Sequence, residues 1–446
     1  MFDKFVWKNW LKIVHTVFED YLWTQFFPSL KLANDTFIKD KFSEIYWKIS
    51  TNDNLNNLYI HLPFCKTRCT YCHCYTSLDW EDSYEEYISY LLLEIDQVTS
   101  KIWKKIKLDS IFIWGWTPNI IWYKLLDRLL TKINNNFDLS GIKQYNIDLN
   151  PYFLDNNTII TLSKHWVNRC TYAIQSFNKE VLRKNSRFYD ENTNHIENVR
   201  NLKLNWIHVN IDLMVWISAQ TLEICVWDIE YARELKADNI SLNYFIQSSN
   251  VHYKIDDEKI KLINDVKSYY NNYIYKTYNT DSNFQEDNYL SNKVNLIWIW
   301  NGSISHIYWE MICYNIWNLK DYYSDINNNE WNNKKIKYLS LKDEMIKFIW
   351  LNLIYKIDRN KFIELFGTDI LNVFKDEMNY LESKKLIYIS DNYIEPKVSN
   401  FKLYLYLSIL LKDYLEWSEL NDNKVFLKEN IKRFFLKNWE KVDEDY

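Results

Sequence analysis

Six short apolar runs alternate with helix-like stretches through the middle of the chain, and no other feature restricts its fold so tightly. The runs are 58–62 (LYIHL), 110–114 (SIFIW), 144–149 (QYNIDL), 169–175 (RCTYAIQ), 207–214 (IHVNIDLM) and 239–246 (NISLNYFI). Helix-like segments fall between them at 83–105, 119–134, 155–165, 190–204 and 219–236. Each run has the length of a buried strand, and each intervening segment is long enough to cross over a sheet. Such alternation implies an α/β fold with a parallel sheet. Six units suit a partial (β/α)6 barrel rather than a closed barrel of eight.

The rest of the chain divides around this core, expected at 58–250. Residues 1–57 read as a helical, aromatic-rich leader with a turn at Phe26-Phe27-Pro28. Residues 251–334 read as a polar, Asn-rich connector followed by a barrel-edge segment, with an apolar run resuming at 294–300. From 335 to 446 the chain reads as mainly helical. Within it, residues 370–396 give a helix, a strand, a turn at Asp391-Asn392 and a second strand, a winged-helix-like pattern.

Hydrophobic residues make up 47% of the 446, enough to bury a sizeable core. A net charge of -5 gives no electrostatic argument for binding nucleic acid. The longest apolar runs, such as Tyr404 to Leu411, fall far short of the roughly 18 residues of a membrane span. No basic segment followed by an apolar stretch and a cleavage site opens the chain, so a secretory signal is not expected. The cysteine count, 7, is odd, and four lie between Cys65 and Cys74. That crowding suits a metal site in a reducing, cytoplasmic setting better than a disulfide framework.

Glycine is almost missing. The chain has 4 Gly and 21 Trp, where average usage of about 7% would give roughly 31 Gly. Tight turns in a β/α protein need glycine, because only glycine adopts positive φ without cost. Gly and Trp together number 25, near a normal glycine count plus a few tryptophans. The abundance of Asn, Lys, Ile and Tyr marks an AT-rich coding sequence. The expectation is that many printed tryptophans are UGA codons read as glycine in the native cell. An unusual, Trp-rich protein is the alternative.

The chemistry concentrates in residues 59–77, YIHLPFCKTRCTYCHCYTS. Cys65, Cys69 and Cys72 follow a strand with the spacing C-x3-C-x2-C. Thiolates are the usual ligands of iron–sulfur clusters. Three of them on a four-iron cube leave one iron open, as a catalytic metal site requires. A zinc site completed by Cys74 or His73 is the other reading of these residues. Zinc sites usually pair two cysteine clusters, whereas Cys170, Cys225 and Cys313 stand alone, as buried small hydrophobes do.

YIHLPFC followed by C-x-Y-C resembles the oxygen-independent coproporphyrinogen III oxidase family of radical S-adenosylmethionine (SAM) proteins, whose relatives include heme chaperones. The resemblance runs from about Trp23 to the C-terminus. It implies a partial radical SAM barrel holding a [4Fe-4S] cluster and S-adenosyl-L-methionine, whose cleavage yields a 5′-deoxyadenosyl radical. The family's second motif is a glycine-rich loop before Thr-Pro, read here as Trp114-Gly115-Trp116-Thr117-Pro118, with Gly115, Trp116 and Thr117 against the cofactor. Trp166, Trp216, Trp298 and Trp300 likewise stand where the family has glycine. This register favours the recoding reading, and glycine is expected at 114, 116, 216, 298 and 300.

The resemblance also implies cofactor contacts at Tyr59, Asp148, Gln175, Arg187 and Asp212. Taken singly, each has an ordinary structural reading. Asp148 could cap a helix, Gln175 could satisfy buried backbone, and Arg187 could be a surface cation. Two features resemble the oxidases: Cys74, and the turn Trp23-Thr24-Gln25-Phe26-Phe27-Pro28-Ser29. Two resemble the chaperones: Asn150-Pro151 and Gln175-Ser176-Phe177. The expected function is oxidative decarboxylation of coproporphyrinogen propionates, with heme chaperoning as the alternative. The implied partners are a porphyrinogen or heme, and an electron donor such as flavodoxin or ferredoxin.

Overall fold

The computed structural model describes residues 35–397, apart from 36–37, 73–81, 101–103, 116, most of 245–292, 329–333 and 354–355. Two compact units divide the chain. One is Ala33–Ser340 and the other includes Leu341–Tyr446. Most of the expected leader, and the Asn-rich part of the connector, lie outside the described residues.

The larger unit opens with α1 (Lys39–Thr51) and then alternates. Its elements are β1 (Leu55–Leu62), α2 (Asp82–Thr99), β2 (Ser110–Gly115), α3 (Trp122–Asn136), β3 (Gln144–Leu149), α4 (Asn156–Lys164) and β4 (Arg169–Gln175). They continue with α5 (Lys179–Lys184), α6 (His195–Leu204), β5 (His208–Val215), α7 (Leu222–Glu234) and β6 (Asn239–Tyr244). After these come β7 (Val294–Ile299), β8 (Ile304–Ile307), β9 (Met311–Tyr314), α8 (Leu319–Asn328) and β10 (Lys335–Tyr338). The strands form one sheet in the order β10-β9-β8-β7-β1-β2-β3-β4-β5-β6.

β1 to β6 pair in parallel with their neighbours, and β7 adds a seventh parallel strand beside β1. The last three strands turn antiparallel. The edges are β6 and β10, so the sheet is an open arc, in keeping with a partial barrel. Its strands read as nearly continuous apolar runs because both faces are covered: all six residues of β3 are buried. The helices present one stripe to the sheet, as Leu125, Leu126, Leu129, Leu130 and Ile133 do on α3.

Caps set several helix boundaries. Asp155 accepts the Thr158 N–H at 2.7 Å and starts α4. Asn178 starts α5, and Asn194 accepts the Glu197 N–H at 3.1 Å to start α6. The single helix expected over 190–204 is therefore shorter, with its cap at Asn194. Residues 335–338, grouped from sequence with the C-terminal part, form β10 and pair with β9.

The smaller unit holds α9 (Leu341–Asn352), β11 (Ile357–Asp358), α10 (Arg359–Phe366), α11 (Ile370–Val373), α12 (Lys375–Ser383), β12 (Ile387–Ile389) and β13 (Tyr393–Pro396). Its three strands pair antiparallel in the order β11-β13-β12. The hairpin turns at Asp391-Asn392, as the sequence suggests. Arg359 ties the unit together, donating to Asp369 Oδ2 at 2.7 Å and to the Ser390 carbonyl at 2.6 Å.

The tryptophans occupy unusual backbone. Ten described non-glycine residues have positive φ, and five are Trp122, Trp166, Trp206, Trp216 and Trp309, with φ from 61° to 78°. A bulky residue there is a clear outlier. Trp166 and Trp206 close α4 and α6 in the same way. In each case the tryptophan N–H and the next N–H turn back on the helix: Val167 to Leu162 at 3.1 Å, and Ile207 to Leu202 at 3.1 Å. That is the left-handed helix stop glycine usually fills. Both indoles stand in solvent, 77% and 89% exposed.

Candidate functional site

The C-terminal ends of the parallel strands carry the chemistry-bearing side chains, as in other β/α folds. β1 runs straight into the cysteine loop. Cys65, Cys69 and Cys72 are all buried and free of disulfides. The Cys72 N–H donates to the Cys69 carbonyl at 3.2 Å, which curls the loop so that it holds its own backbone. Among the described residues no three His, Cys, Asp or Glu side chains gather around one metal-ion position. A cube offers a different iron to each thiolate, so its ligands stand apart around it. The zinc candidates Cys74 and His73 lie outside the described residues.

β2 delivers the second loop beside the first. Cys65 Sγ and Thr117 Oγ1 lie 3.6 Å apart, and Thr117 is fully buried. Gly115 has φ of 131°, and a Cβ there would fall on the Leu62 carbonyl oxygen. The β1–β2 approach thus requires glycine at 115. Trp116 lies outside the described residues. Trp114 packs against Phe112 and Tyr59, with centroids 6.0 and 6.1 Å apart. Tyr59 stacks on Trp298 at 4.3 Å and meets His61 Nδ1 through its hydroxyl at 3.0 Å.

The third group comes from β3, β4 and β5. Gln175, with φ of 72°, ends β4 and donates from Nε2 to Asp212 Oδ2 at 3.0 Å. Asn243 on β6 donates to Asp212 Oδ1. Burial pushes Asp212 up to about 6, with Gln175, Asn243 and Arg187 pulling it down. Asp148 sits within β3 and caps no helix. Burial holds it well above the usual carboxylate range, and the nearby Asp212 charge adds to the effect. Arg187 is buried, not a surface cation. It donates to the Ala173 carbonyl, and its Nη1 lies 3.8 Å from Cys69 Sγ.

Four buried polar atoms in this wall have no partner among the described residues: Asp148 Oδ1, Gln175 Oε1, Asn146 Oδ1 and Arg187 Nε. Buried polar groups are normally satisfied, and each orphan costs about 1–3 kcal/mol. Three acceptors and one cationic donor left open on one wall describe a site for a ligand rich in hydroxyl or amine donors and bearing an anionic group.

Sequence reasoning missed three residues that hold this wall. Asn185 joins three loops. Asn243 fixes the second oxygen of Asp212. Asp228 on α7 accepts the Ser176 hydroxyl at 2.6 Å and the Phe177 N–H at 2.7 Å, which clamps the turn after Gln175. A signal for Asp228 was present. It occupies the buried stripe of α7 with Cys225, Ile229 and Ala232, where an unpaired acid is not expected.

With the cysteine loop, the glycine-containing loop and this polar wall in place, comparison with known proteins is decisive at one level. A sequence profile of the Radical SAM superfamily matches residues 59–223. The chain carries a radical SAM domain. The "Heme chaperone HemW" of Buchnera aphidicola subsp. Schizaphis graminum is 25% identical over 394 residues, 87% of this chain and 93% of that protein. The "Heme chaperone HemW" of Lactococcus lactis is 31% identical, over 42% of this chain and 48% of its own length. The "Oxygen-independent coproporphyrinogen III oxidase" of Bradyrhizobium diazoefficiens is 26% identical over 42% of each chain. In three dimensions the radical SAM enzyme HemN of Escherichia coli superposes with a TM-score of 0.69 at 18% identity. That match covers 85% of this chain and 94% of HemN, and it shows the fold.

Proposed function

We propose that this chain is a heme-handling radical SAM protein of the HemW type, and not a coproporphyrinogen oxidase. The observation that carries this reading is the alignment to the Buchnera chaperone, which runs through 93% of that protein, well beyond the shared core. The oxidase relative aligns over 42% of this chain, as the Lactococcus chaperone also does, so of these three it is the Buchnera match that extends the likeness past the core. The sequence features that favoured the oxidase, Cys74 and the Trp23–Ser29 turn, lie outside the described residues. Of those that favoured the chaperone, Gln175 stands in the wall of the site and Asn150-Pro151 forms the turn after β3. Asn150 is buried and exchanges backbone–amide bonds with Asn119 at 2.9 and 3.0 Å, fixing the turn after β3.

In this reading Cys65, Cys69 and Cys72 hold a [4Fe-4S] cluster, and S-adenosyl-L-methionine lies along the β2–β5 wall. When bound, that pair can supply one-electron reductive cleavage, fed by a donor such as flavodoxin or ferredoxin. The chain's residues fit the ligand's chemistry. The acceptors Asp148 Oδ1 and Gln175 Oε1 suit its hydroxyl and amino donors, and the buried cation of Arg187 suits its carboxylate. Burial and the Asp212 charge hold the Asp148 pKa up against hydrogen bonds from the Thr171, Asn146 and Trp114 side chains, which fits a carboxyl that a further ligand donor would draw toward its charged form. Gly115 lets β2 approach the end of β1, and the Thr117 hydroxyl lies against the Cys65 thiol.

The test is anaerobic purification with iron reconstitution, followed by heme titration and, separately, incubation with coproporphyrinogen and reductant. About one cluster and one tightly held heme per chain, without carbon dioxide release, is expected. Cys65→Ala, Cys69→Ala or Cys72→Ala should each abolish the cluster. Decarboxylation of coproporphyrinogen by the wild-type protein would overturn the chaperone assignment, and zinc in place of iron would overturn the cluster.

A further inference from the structure

The segment between Cys69 and Cys72 does not rest on the cysteines alone. Thr70 lies inside it, and both of its polar groups end on one residue. The Thr70 N–H donates to the Asn185 carbonyl at 3.0 Å, and the Thr70 hydroxyl donates to Asn185 Oδ1 at 2.9 Å. Asn185 follows α5 and is completely buried. Its amide nitrogen donates to the Val181 carbonyl at 2.7 Å and to the Ser218 carbonyl at 2.9 Å. Its amide oxygen also accepts the Ser218 N–H at 3.2 Å. Both donors and both acceptor positions of the side chain are thus used, the most one asparagine amide offers.

Those bonds connect three separate stretches of the rim. One is the cysteine loop after β1. The second is the end of α5, two residues before Arg187. The third is the loop after β5, six residues beyond Asp212. β1 and β5 are separated in the sheet by β2, β3 and β4, so no direct strand pair joins the cysteine loop to the β5 rim. Among the described residues a buried, saturated amide bridges that gap.

We propose that Asn185 is a positioning residue that holds the Cys69–Cys72 segment against the cofactor wall through Thr70. This rests on the cluster reading given above. Asn185 touches no reacting group. It fixes where two of the three thiolates stand relative to Arg187, Gln175 and Asp212. Without it the cysteines can still bind iron, but the loop has freedom to open and release it.

The experiment compares Thr70→Val, Thr70→Ser and Asn185→Leu with the wild-type chain, all reconstituted anaerobically. Two quantities are read: the rate of iron release to a ferrous chelator, and the change in the reduced cluster's EPR spectrum when S-adenosylmethionine is added. Thr70→Val keeps the shape and backbone bond but loses the hydroxyl, and should release iron roughly 5-fold faster, the equivalent of one ordinary hydrogen bond. Thr70→Ser restores the hydroxyl and should behave as wild type. Asn185→Leu should release iron roughly 10-fold faster or more, with a weakened spectral response to the cofactor. Should Asn185→Leu fail to fold, the threonine pair still decides. Wild-type release rates and spectra in Thr70→Val would overturn the proposal while leaving the cluster reading intact. A wild-type protein that holds no iron at all would sink the cluster reading and the proposal together.

Discussion

Two of the buried polar groups in the larger unit are finished differently. The first is the wall of Asp148, Gln175, Asn146 and Arg187 along β3 and β4, where four polar atoms have no partner among the described residues. The second surrounds Glu94 on α2. Glu94 accepts from Asn315 at 2.8 Å, from the Tyr322 hydroxyl at 2.8 Å and from Lys334 at 3.2 Å. Burial pushes the Glu94 carboxyl up, and Lys334, Tyr322 and Asn315 oppose it. A buried carboxylate with three donors is internally complete and has nothing left to offer a ligand. It joins α2 to the loop before α8, to α8 itself and to the residue ahead of β10. The open wall forgoes that satisfaction, which is the expected cost of being ready to bind.

The largest effect should come from breaking the closed group. Glu94→Ala leaves Lys334 buried beside Tyr322 without its carboxylate. Loss of one partner of a buried pair costs about 3–5 kcal/mol. Urea unfolding should show that loss, while iron bound per folded molecule stays at the wild-type level. A variant that loses iron but not stability would mean that the Glu94 group belongs to the site.

Asp228 lies between the two types, since it is paired but still strained by burial, which raises it to about 7. The sign follows from the protons held. Between pH 4 and 7 the folded chain keeps a proton on Asp228 that the unfolded chain has lost. This contribution favours the fold at the acid end and falls away as pH rises through 7, by up to about 1.4 kcal/mol per pH unit. Asp228→Asn should remove that slope. Unfolding curves at pH 5 and pH 7.5 that keep the same spacing in both proteins would refute it.

The open wall should respond in binding as well as in stability. Asp212→Ala and Gln175→Ala should each cost less stability than Glu94→Ala, about 1–3 kcal/mol, because they leave neutral amides or one carboxylate oxygen unpaired rather than a buried cation. Each should weaken S-adenosylmethionine binding by about 1–3 kcal/mol, the value of a buried polar partner. Calorimetry on cluster-loaded protein reads this directly. Unchanged affinity in both variants would show that the wall's open atoms face something other than this cofactor.

The two groups were not equally legible in the sequence. The strand–helix alternation, the cysteine spacing and the residues at strand ends are local signals, and the structure gathers Cys65 with Thr117, Cys69 with Arg187, and Gln175 with Asp212. The Glu94 group was invisible because its members lie up to 240 residues apart, and nothing near Glu94 marks it as buried. Asn185 was missed for a similar reason. Its partners come from loops with no periodicity, and an asparagine after a short helix reads as an ordinary stop. The extra strands β8 to β10 escaped notice because they are only four residues each, too short to show alternation.

The smallest effect concerns tryptophan, and it bears on how open the wall is. Trp298 and Trp114 pack against Tyr59 in the sheet, where an indole finds partners. Trp166 and Trp206 find none of this: they hold left-handed backbone and project into solvent. A non-glycine residue there costs about 1–2 kcal/mol, and glycine returns roughly 0.5–1 kcal/mol of that through chain entropy. Trp166→Gly and Trp206→Gly should therefore each stabilise the recombinant chain by a net of about 1 kcal/mol. Such a gain would separate these two positions from Trp298, whose replacement removes a packed ring. If UGA is read as glycine in the native cell, native peptides spanning 166 and 206 will carry glycine masses. The wall will then also be wider at 114 and 298 than the printed sequence makes it. Native peptides carrying tryptophan at both helix ends, or glycine variants that unfold earlier, would show that the printed residues are the ones this fold uses.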